Sequence, residues 1–209
     1  MRRVLVTGFE PFGGSSDNPS MRVVQALRDA PPREVDLATG ILPVAWRTTC
    51  PALRSLVARS RPDAIVLLGQ SARRPVVTAE RFALNFGQGR IADNAGEVRP
   101  PGPLVEGAPL ALACTLDADA CVQAIEAEGL SAAASHDAGA FLCNAALFDA
   151  LLHALPGQRA TFIHLPMHPE QDGRPDGEPT MPLRDAERAV RAVLRALAAG
   201  RLDAAPAPS

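Results

Sequence analysis

Apolar residues gather along the chain in two rhythms. Three short runs are almost continuously apolar: "RRVLVTG" near the amino terminus, "PDAIVLLGQ" from Pro62 to Gln70, and "ATFIHLP" from Ala160 to Pro166. Each is rich in β-branched or large aliphatic residues and ends at a glycine, glutamine or proline, the pattern of a buried strand. Between and after them, apolar positions recur at helical spacing over Ser20 to Arg28, roughly Pro51 to Ser60, Ala118 to Glu128, Asn144 to Leu155, and Pro182 to Ala199. Strands alternating with helices predict an α/β fold, a three-layer α/β/α sandwich around a mostly parallel, mixed central sheet. The stretch Arg99 to Pro109, "RPPGPLVEGAP", is too rich in proline and glycine for regular structure and reads as a long ordered loop. Residues 1–202 are expected to form one domain, with 203–209, "DAAPAPS", as a flexible tail.

Composition narrows the class. With 47% apolar residues, the 209-residue chain can bury a substantial core. The apolar run at the amino terminus stops after about four residues, too few for a signal-peptide core or a membrane span, so a soluble cytoplasmic protein is expected. Net charge is −2, and no basic surface interleaved with aromatics is visible, which sets nucleic-acid binding aside. The cysteines at 50, 114, 121 and 143 form no CxxC pair, so neither a zinc knuckle nor a disulfide framework is expected, and the thiols read as reduced.

The chemistry centres on "GAFLCNAALFDALLHAL", Gly139 to Leu155, where Cys143 stands at the point a helix-like run begins. Unpaired amides and the helix dipole there would favour thiolate and lower the thiol pKa; alternatively Cys143 is a small buried hydrophobe. His164, at the exit of the strand "ATFIH", is the candidate base, since a strand-end imidazole beside a helix-start thiol forms a Cys-His nucleophile. His168 is its rival, placed out on a proline-broken loop, while His136 and His153 read as ordinary surface or helix-face residues. Glu80 in "TAERFALN" could orient the base or could be a helix-start charge capped by Thr78, with Asp137 competing for the orienting role. The glycine-rich "TGFEPFGGSS" has Gly14 where a phosphate loop needs lysine. Its paired rings, Phe9 and Phe12, are either a hydrophobic plug or the walls of a pocket for a small flat ligand.

The motifs "VTGFEPFGG…NPS", "GQSARRPVVTAERFALN", "RIADNAGE", "AGAFLCN" and "FIHLPMHPEQ" resemble, in order and in most of their spacing, those of the pyroglutamyl peptidase I family, also called pyrrolidone-carboxylate peptidases. The resemblance runs from Arg3 to Gln171 and weakly through the last helix. It implies a metal-free, cofactor-free cytosolic cysteine peptidase that removes an amino-terminal pyroglutamyl residue from peptides through a Cys thioester. It further implies a triad of Glu80, Cys143 and His164, with Arg90 assisting at the oxyanion beside the Cys143 amide, and substrate contacts from Phe9, Phe12, Val44, Gln70, Ile91, Phe141 and Leu142. A local pairing of Arg90 with Asp93 is the plain alternative for that arginine. Expected partners are pyroglutamylated peptides and, by resemblance, further copies of the chain in a homo-oligomer, with a tetramer the form the resemblance suggests. Three departures stand out: Ala72, Arg73 and Arg74 replace the usual Gly-Gly-Arg, the turn joining the Cys143 helix to the His164 strand is a few residues shorter than common family versions, and Met167 and His168 follow "HLP" at the pocket rim. A nucleoside phosphorylase or hydrolase on a related fold, and a pyroglutamate-binding homologue without turnover, are the competing readings.

Overall fold

The computed structural model describes residues 1–71, 73–172 and 177–203. Ala72 of the "ARR" departure and 204–209 of the expected tail lie outside the described residues. Three strands follow the three apolar runs: β1 (Arg3–Phe9), β3 (Ala64–Gln70) and β8 (Arg159–Leu165). Nearly every residue in them is buried, because they are adjacent in the sheet and helices cover both faces.

Three further strands complete that sheet: β2 (Asp36–Leu42), β4 (Val77–Glu80) and β7 (Ala132–Ser135). The order is β2-β1-β3-β8-β4-β7. All neighbours pair in parallel except β4 and β8, which are antiparallel. The sheet is therefore mostly parallel and mixed, as the sequence predicts. Glu80 lies at the end of a strand, which corrects its reading as a helix-start charge; Thr78 is likewise a strand residue rather than a cap. A two-stranded ladder of β5 (Phe82–Leu84) and β6 (Ala111–Ala113) brackets the long proline-rich loop, which Asn85 pins by donating to the carbonyls of Val105 and Ala108.

The helices are α1 (Pro19–Asp29), α2 (Thr49–Ser60), α3 (Ala118–Glu126), α4 (Leu142–Leu152) and α5 (Leu183–Ala198). On one face of the sheet Val4, Val6, Val66, Leu68 and Ile163 pack against α1, α3 and α5; on the other Leu5, Leu42, Leu67 and Phe162 meet α2 and α4. Each fully buried aliphatic or aromatic side chain contributes about 1.5–3 kcal/mol, so the two layers supply most of the favourable free energy.

Local chemistry sets how α1 meets β1. Asn18 caps the helix by accepting from the Ser20 amide at 3.0 Å, and Pro19 occupies the first turn, where a missing N–H costs nothing. A Cβ on Gly8 would fall 2.5 Å from the Ser20 carbonyl oxygen, so only glycine lets the helix start press this closely on the strand. At the other terminus, Asp203, the first residue of the expected tail, is ion-paired with Arg2 at 2.7 Å and so is held to the domain.

Candidate active site

Register brings the chemistry together. In the β3–β8 ladder Gly69 lies opposite His164, and in the antiparallel β4–β8 ladder Thr78 lies opposite His164. Glu80, two residues along β4, projects to the same face as Thr78 and reaches the imidazole diagonally. Its Oε1 is 2.7 Å from His164 Nδ1. Glu80 is 0% exposed and His164 4% exposed, so water competes little for this contact.

Cys143 sits in the first turn of α4, directly over β3. A Cβ on Gly69 would fall 2.9 Å from its Sγ and 2.6 Å from Cζ of Phe162. Glycine at 69 is thus the gap that admits the thiol next to the strand position facing His164. The Phe162 ring lies 4.6 Å from the His164 ring, centroid to centroid, and supports it from below.

Arg74 ties these parts together. Its guanidinium pairs with Glu80 Oε1, donates to Thr78 Oγ1 at 2.5 Å, and donates to the Asp137 carbonyl in the loop leading to α4. Burial raises the Glu80 carboxyl, but the hydrogen bond and charge of His164, with Arg74 behind them, outweigh it and hold the group below the ordinary glutamate range. Burial lowers His164 more than Glu80 raises it, and Arg74 lowers it further, so the imidazole is neutral at neutral pH. Asp137 turns its own carboxylate to the Gly139 amide instead of the imidazole.

The thiol departs from the sequence expectation. Burial, followed by the Glu80 charge, pushes Cys143 up to about 12, although Arg74 and its own backbone N–H favour the thiolate. The helix start is where the sequence puts it, within two residues, but desolvation outweighs the dipole. In the closed site, burial thus favours the neutral forms of both thiol and imidazole.

Phe9, Phe12, Val44, Gln70, Phe141 and Leu142, six of the seven expected substrate contacts, line one cavity with Cys143. Asn18 joins them, a residue that sequence reasoning missed because its capping role masks it. The cavity measures about 20 Å³, closed down by Phe12 against Phe141 at 6.3 Å and Trp46 edge-on to Phe141 at 5.3 Å. Ile91, 48% exposed, is not among the lining residues, and neither is Arg90, which is also exposed. The local pairing of Arg90 with Asp93 is not made: Asp93 accepts from the amides of Trp46, Ala95 and Glu97. His168 is not out on its loop but buried, with Nε2 2.9 Å from Asp17 Oδ2. Among the expected surface histidines, His136 is exposed against Phe82, and His153 closes α4 on the Asp149 carbonyl.

Comparison with known proteins identifies the family. A family model described as pyroglutamyl peptidase matches residues 2–200. Pyrrolidone-carboxylate peptidase from Bacillus cereus is 36% identical over 194 residues, covering 91% of this chain and 90% of that one. The protein of the same name from Pectobacterium atrosepticum is 37% identical over 215 residues, covering 98% and 97%. Among solved structures, pyroglutamyl peptidase I from Bacillus amyloliquefaciens superposes with a TM-score of 0.91 at 31% identity, covering 98% of this chain and 100% of that one. Pyrrolidone carboxyl peptidase from Fervidobacterium islandicum gives 0.88 at 31%, covering 94% and 98%. Matched along nearly its whole length in sequence and in fold, the chain belongs to the pyroglutamyl peptidase family.

Proposed function

We propose that Cys143, His164 and Glu80 carry out the hydrolysis of the amide bond after an amino-terminal pyroglutamyl residue. The observation that carries this reading is the buried Glu80–His164 contact at 2.7 Å beside a thiol seated over Gly69. His164 Nδ1 donates to Glu80, which leaves Nε2 as the acceptor for the thiol proton. Sulfur then attacks the pyroglutamyl carbonyl, the imidazolium returns its proton to the leaving amine, and water attacks the thioester with His164 again as base. Glu80 fixes the tautomer and stabilises the imidazolium while it exists.

The oxyanion is assigned to the first-turn amides of α4, Cys143 foremost, which lack intrahelical acceptors. Arg90 is the further candidate from the family resemblance, and its exposed position calls for movement on substrate binding. Pyroglutamate is a lactam without an ammonium group, and the lining of the cavity, though not its closed volume, matches it: aromatic and aliphatic residues with two amide-bearing ones. Open glutamate would bury charge without a partner there. Ile91 belongs to the same substrate-binding proposal at the rim. The nucleoside phosphorylase or hydrolase alternative has no support from the comparisons. The reading extends to peptide substrates, a cytoplasmic location and a homo-oligomer; among the described residues no helix is long and apolar enough to cross a membrane.

The test is release of aminocoumarin from its pyroglutamyl derivative under reducing conditions, beside the glutaminyl and prolyl analogues and a Cys143→Ala variant. Turnover confined to the pyroglutamyl compound and lost in the variant is expected. Activity surviving Cys143→Ala would overturn the mechanism, and binding of the lactam without cleavage by wild type would make the chain a non-catalytic homologue.

A further inference from the structure

The segment after β8 carries a buried polar group that the reaction does not use. Gln171 is 5% exposed and hangs from a turn closed by its own amide on the His168 carbonyl at 3.1 Å. Its Nε2 contacts the Asp17 carbonyl at 3.2 Å and Gln70 Oε1 at 2.7 Å, with Ser15 Oγ more distant at 3.4 Å. Gln70 is one of two amide-bearing residues that line the cavity with Cys143.

The polarity of this chain of contacts is fixed from one end. A backbone carbonyl can only accept, so the Gln171 atom facing the Asp17 carbonyl must be the NH₂ group. The same NH₂ faces Gln70, so the Gln70 atom it meets must be the oxygen. That leaves the Gln70 NH₂ as the free end, and among the described residues no group accepts from it.

The second amide on the cavity is already spent. Asn18 Oδ1 accepts from the amide and hydroxyl of Ser20, and its Nδ2 donates to the Glu10 carbonyl at 3.1 Å. Apart from the Cys143 thiol, the uncommitted polar group among the side chains of the lining residues is therefore a donor. A lactam ring presents its carbonyl oxygen, an acceptor, as its strongest polar feature.

From this polarity we propose that Gln171 is a positioning residue for substrate specificity: it holds the Gln70 amide with its NH₂ free to donate to the ring carbonyl of the substrate. The inference rests on the pyroglutamyl reading above and deepens it. Without Gln171 the Gln70 amide can turn over and present its oxygen, which repels the ring carbonyl. Ground-state binding weakens, whereas the thiol and imidazole, which Gln171 does not touch, keep their rate.

The test is a double-substitution cycle on Gln171→Met and Gln70→Met, with two readouts: KM and kcat for the pyroglutamyl-aminocoumarin, and affinity for 2-pyrrolidone measured calorimetrically in a Cys143→Ala background. One net hydrogen bond corresponds to about a 2- to 10-fold change, so Gln171→Met is expected to raise KM and the 2-pyrrolidone Kd by that factor with kcat unchanged. In the Gln70→Met background the same substitution should add nothing. Gln171→Glu, which can only accept and so draws the Gln70 NH₂ away from the cavity, should weaken binding more than Gln171→Met does. Unchanged KM and Kd in a folded Gln171→Met protein would overturn the proposal, as would equal losses with and without Gln70. If wild type fails to cleave the substrate while 2-pyrrolidone affinity still depends on Gln171 through Gln70, the catalytic reading falls and the positioning role stands.

Discussion

Gly69→Ala tests the placement of the thiol directly. The added methyl would lie 2.6 Å from Cζ of Phe162 and 2.9 Å from Sγ of Cys143, both closer than carbon contacts allow. Phe162 is fully buried and packed in the layer beneath α4, so it yields little. Overpacking of this kind costs about 1–3 kcal/mol. At about 2–4 °C per kcal/mol for a chain of this size, the melting temperature should fall by about 2–12 °C. The rest of the strain falls on Cys143, and if it is the nucleophile as proposed, a displacement approaching 1 Å lowers the rate on the order of 10²-fold. Gly40→Ala, on the edge strand β2, is the control: its methyl would meet Leu56 Cδ1 at 2.4 Å, and half-buried Leu56 can turn aside, so a smaller loss is expected. Thermal unfolding and kcat/KM on the pyroglutamyl-aminocoumarin should separate the two, both variants losing stability and only Gly69→Ala losing most of its activity. A destabilised Gly69→Ala enzyme with wild-type kcat/KM would refute the claim that the sulfur over Gly69 is the nucleophile.

Arg74→Met removes one partner of a fully buried carboxylate and the donor to the Asp137 carbonyl. Losing one partner of a buried pair costs about 3–5 kcal/mol, measurable as a shift in the urea midpoint; an unshifted midpoint would mean that the guanidinium is dispensable there. Because Arg74 lowers His164, its removal should move the acid limb of the kcat/KM profile to higher pH. The groups facing His164 are Glu80, Arg74 and, more remotely, Asp137. In wild type, with His164 held below its ordinary 6.5, activity should persist below that pH and fall only as the imidazole protonates; a limb above 6.5 would contradict the neutral resting state. All four cysteines are raised by burial from 9.0 to about 12. A raised folded value means stability complete below the unfolded value and lost as pH climbs toward the folded one. Urea midpoints should therefore be level up to about pH 9 and decline above it, and a flat profile to pH 10.5 would show that the thiols ionise equally in both states.

The parts of the fold that were legible in the sequence were those buried on both sides. Strands β1, β3 and β8 announce themselves as unbroken apolar runs because helices cover both of their faces. Strand β2, "DLATGIL", is mostly half-buried at one sheet edge, and β7, "AAAS", at the other, so neither carries a periodic signal. Strand β4 is four residues long and ends in glutamate, which in isolation resembles a helix start. The site divides in the same way. Cys143 and His164 stand at visible junctions between elements, and the phenylalanines mark their own pocket. Arg74 and Gln171 act through partners that the fold alone brings near: Asp137 is 63 positions from Arg74, and Gln70 is 101 from Gln171. Family resemblance chose Glu80 over Asp137; the physical reason, antiparallel pairing of β4 with β8, exists only in three dimensions.

The cavity beside Cys143 has room for about one water molecule and none for a five-membered ring. If this cavity receives the pyroglutamyl ring as proposed, Phe12 and Phe141 must part to admit it, and the apparent affinity equals the intrinsic affinity multiplied by the fraction of molecules caught open. On that reading a peptide meets a gate whose springs are aromatic contacts, and the observed association rate scales with the open fraction. Shrinking Phe12 to leucine would trade wall contact for a larger open fraction, and evolution can tune substrate capture at that single ring without touching the residues that break the bond.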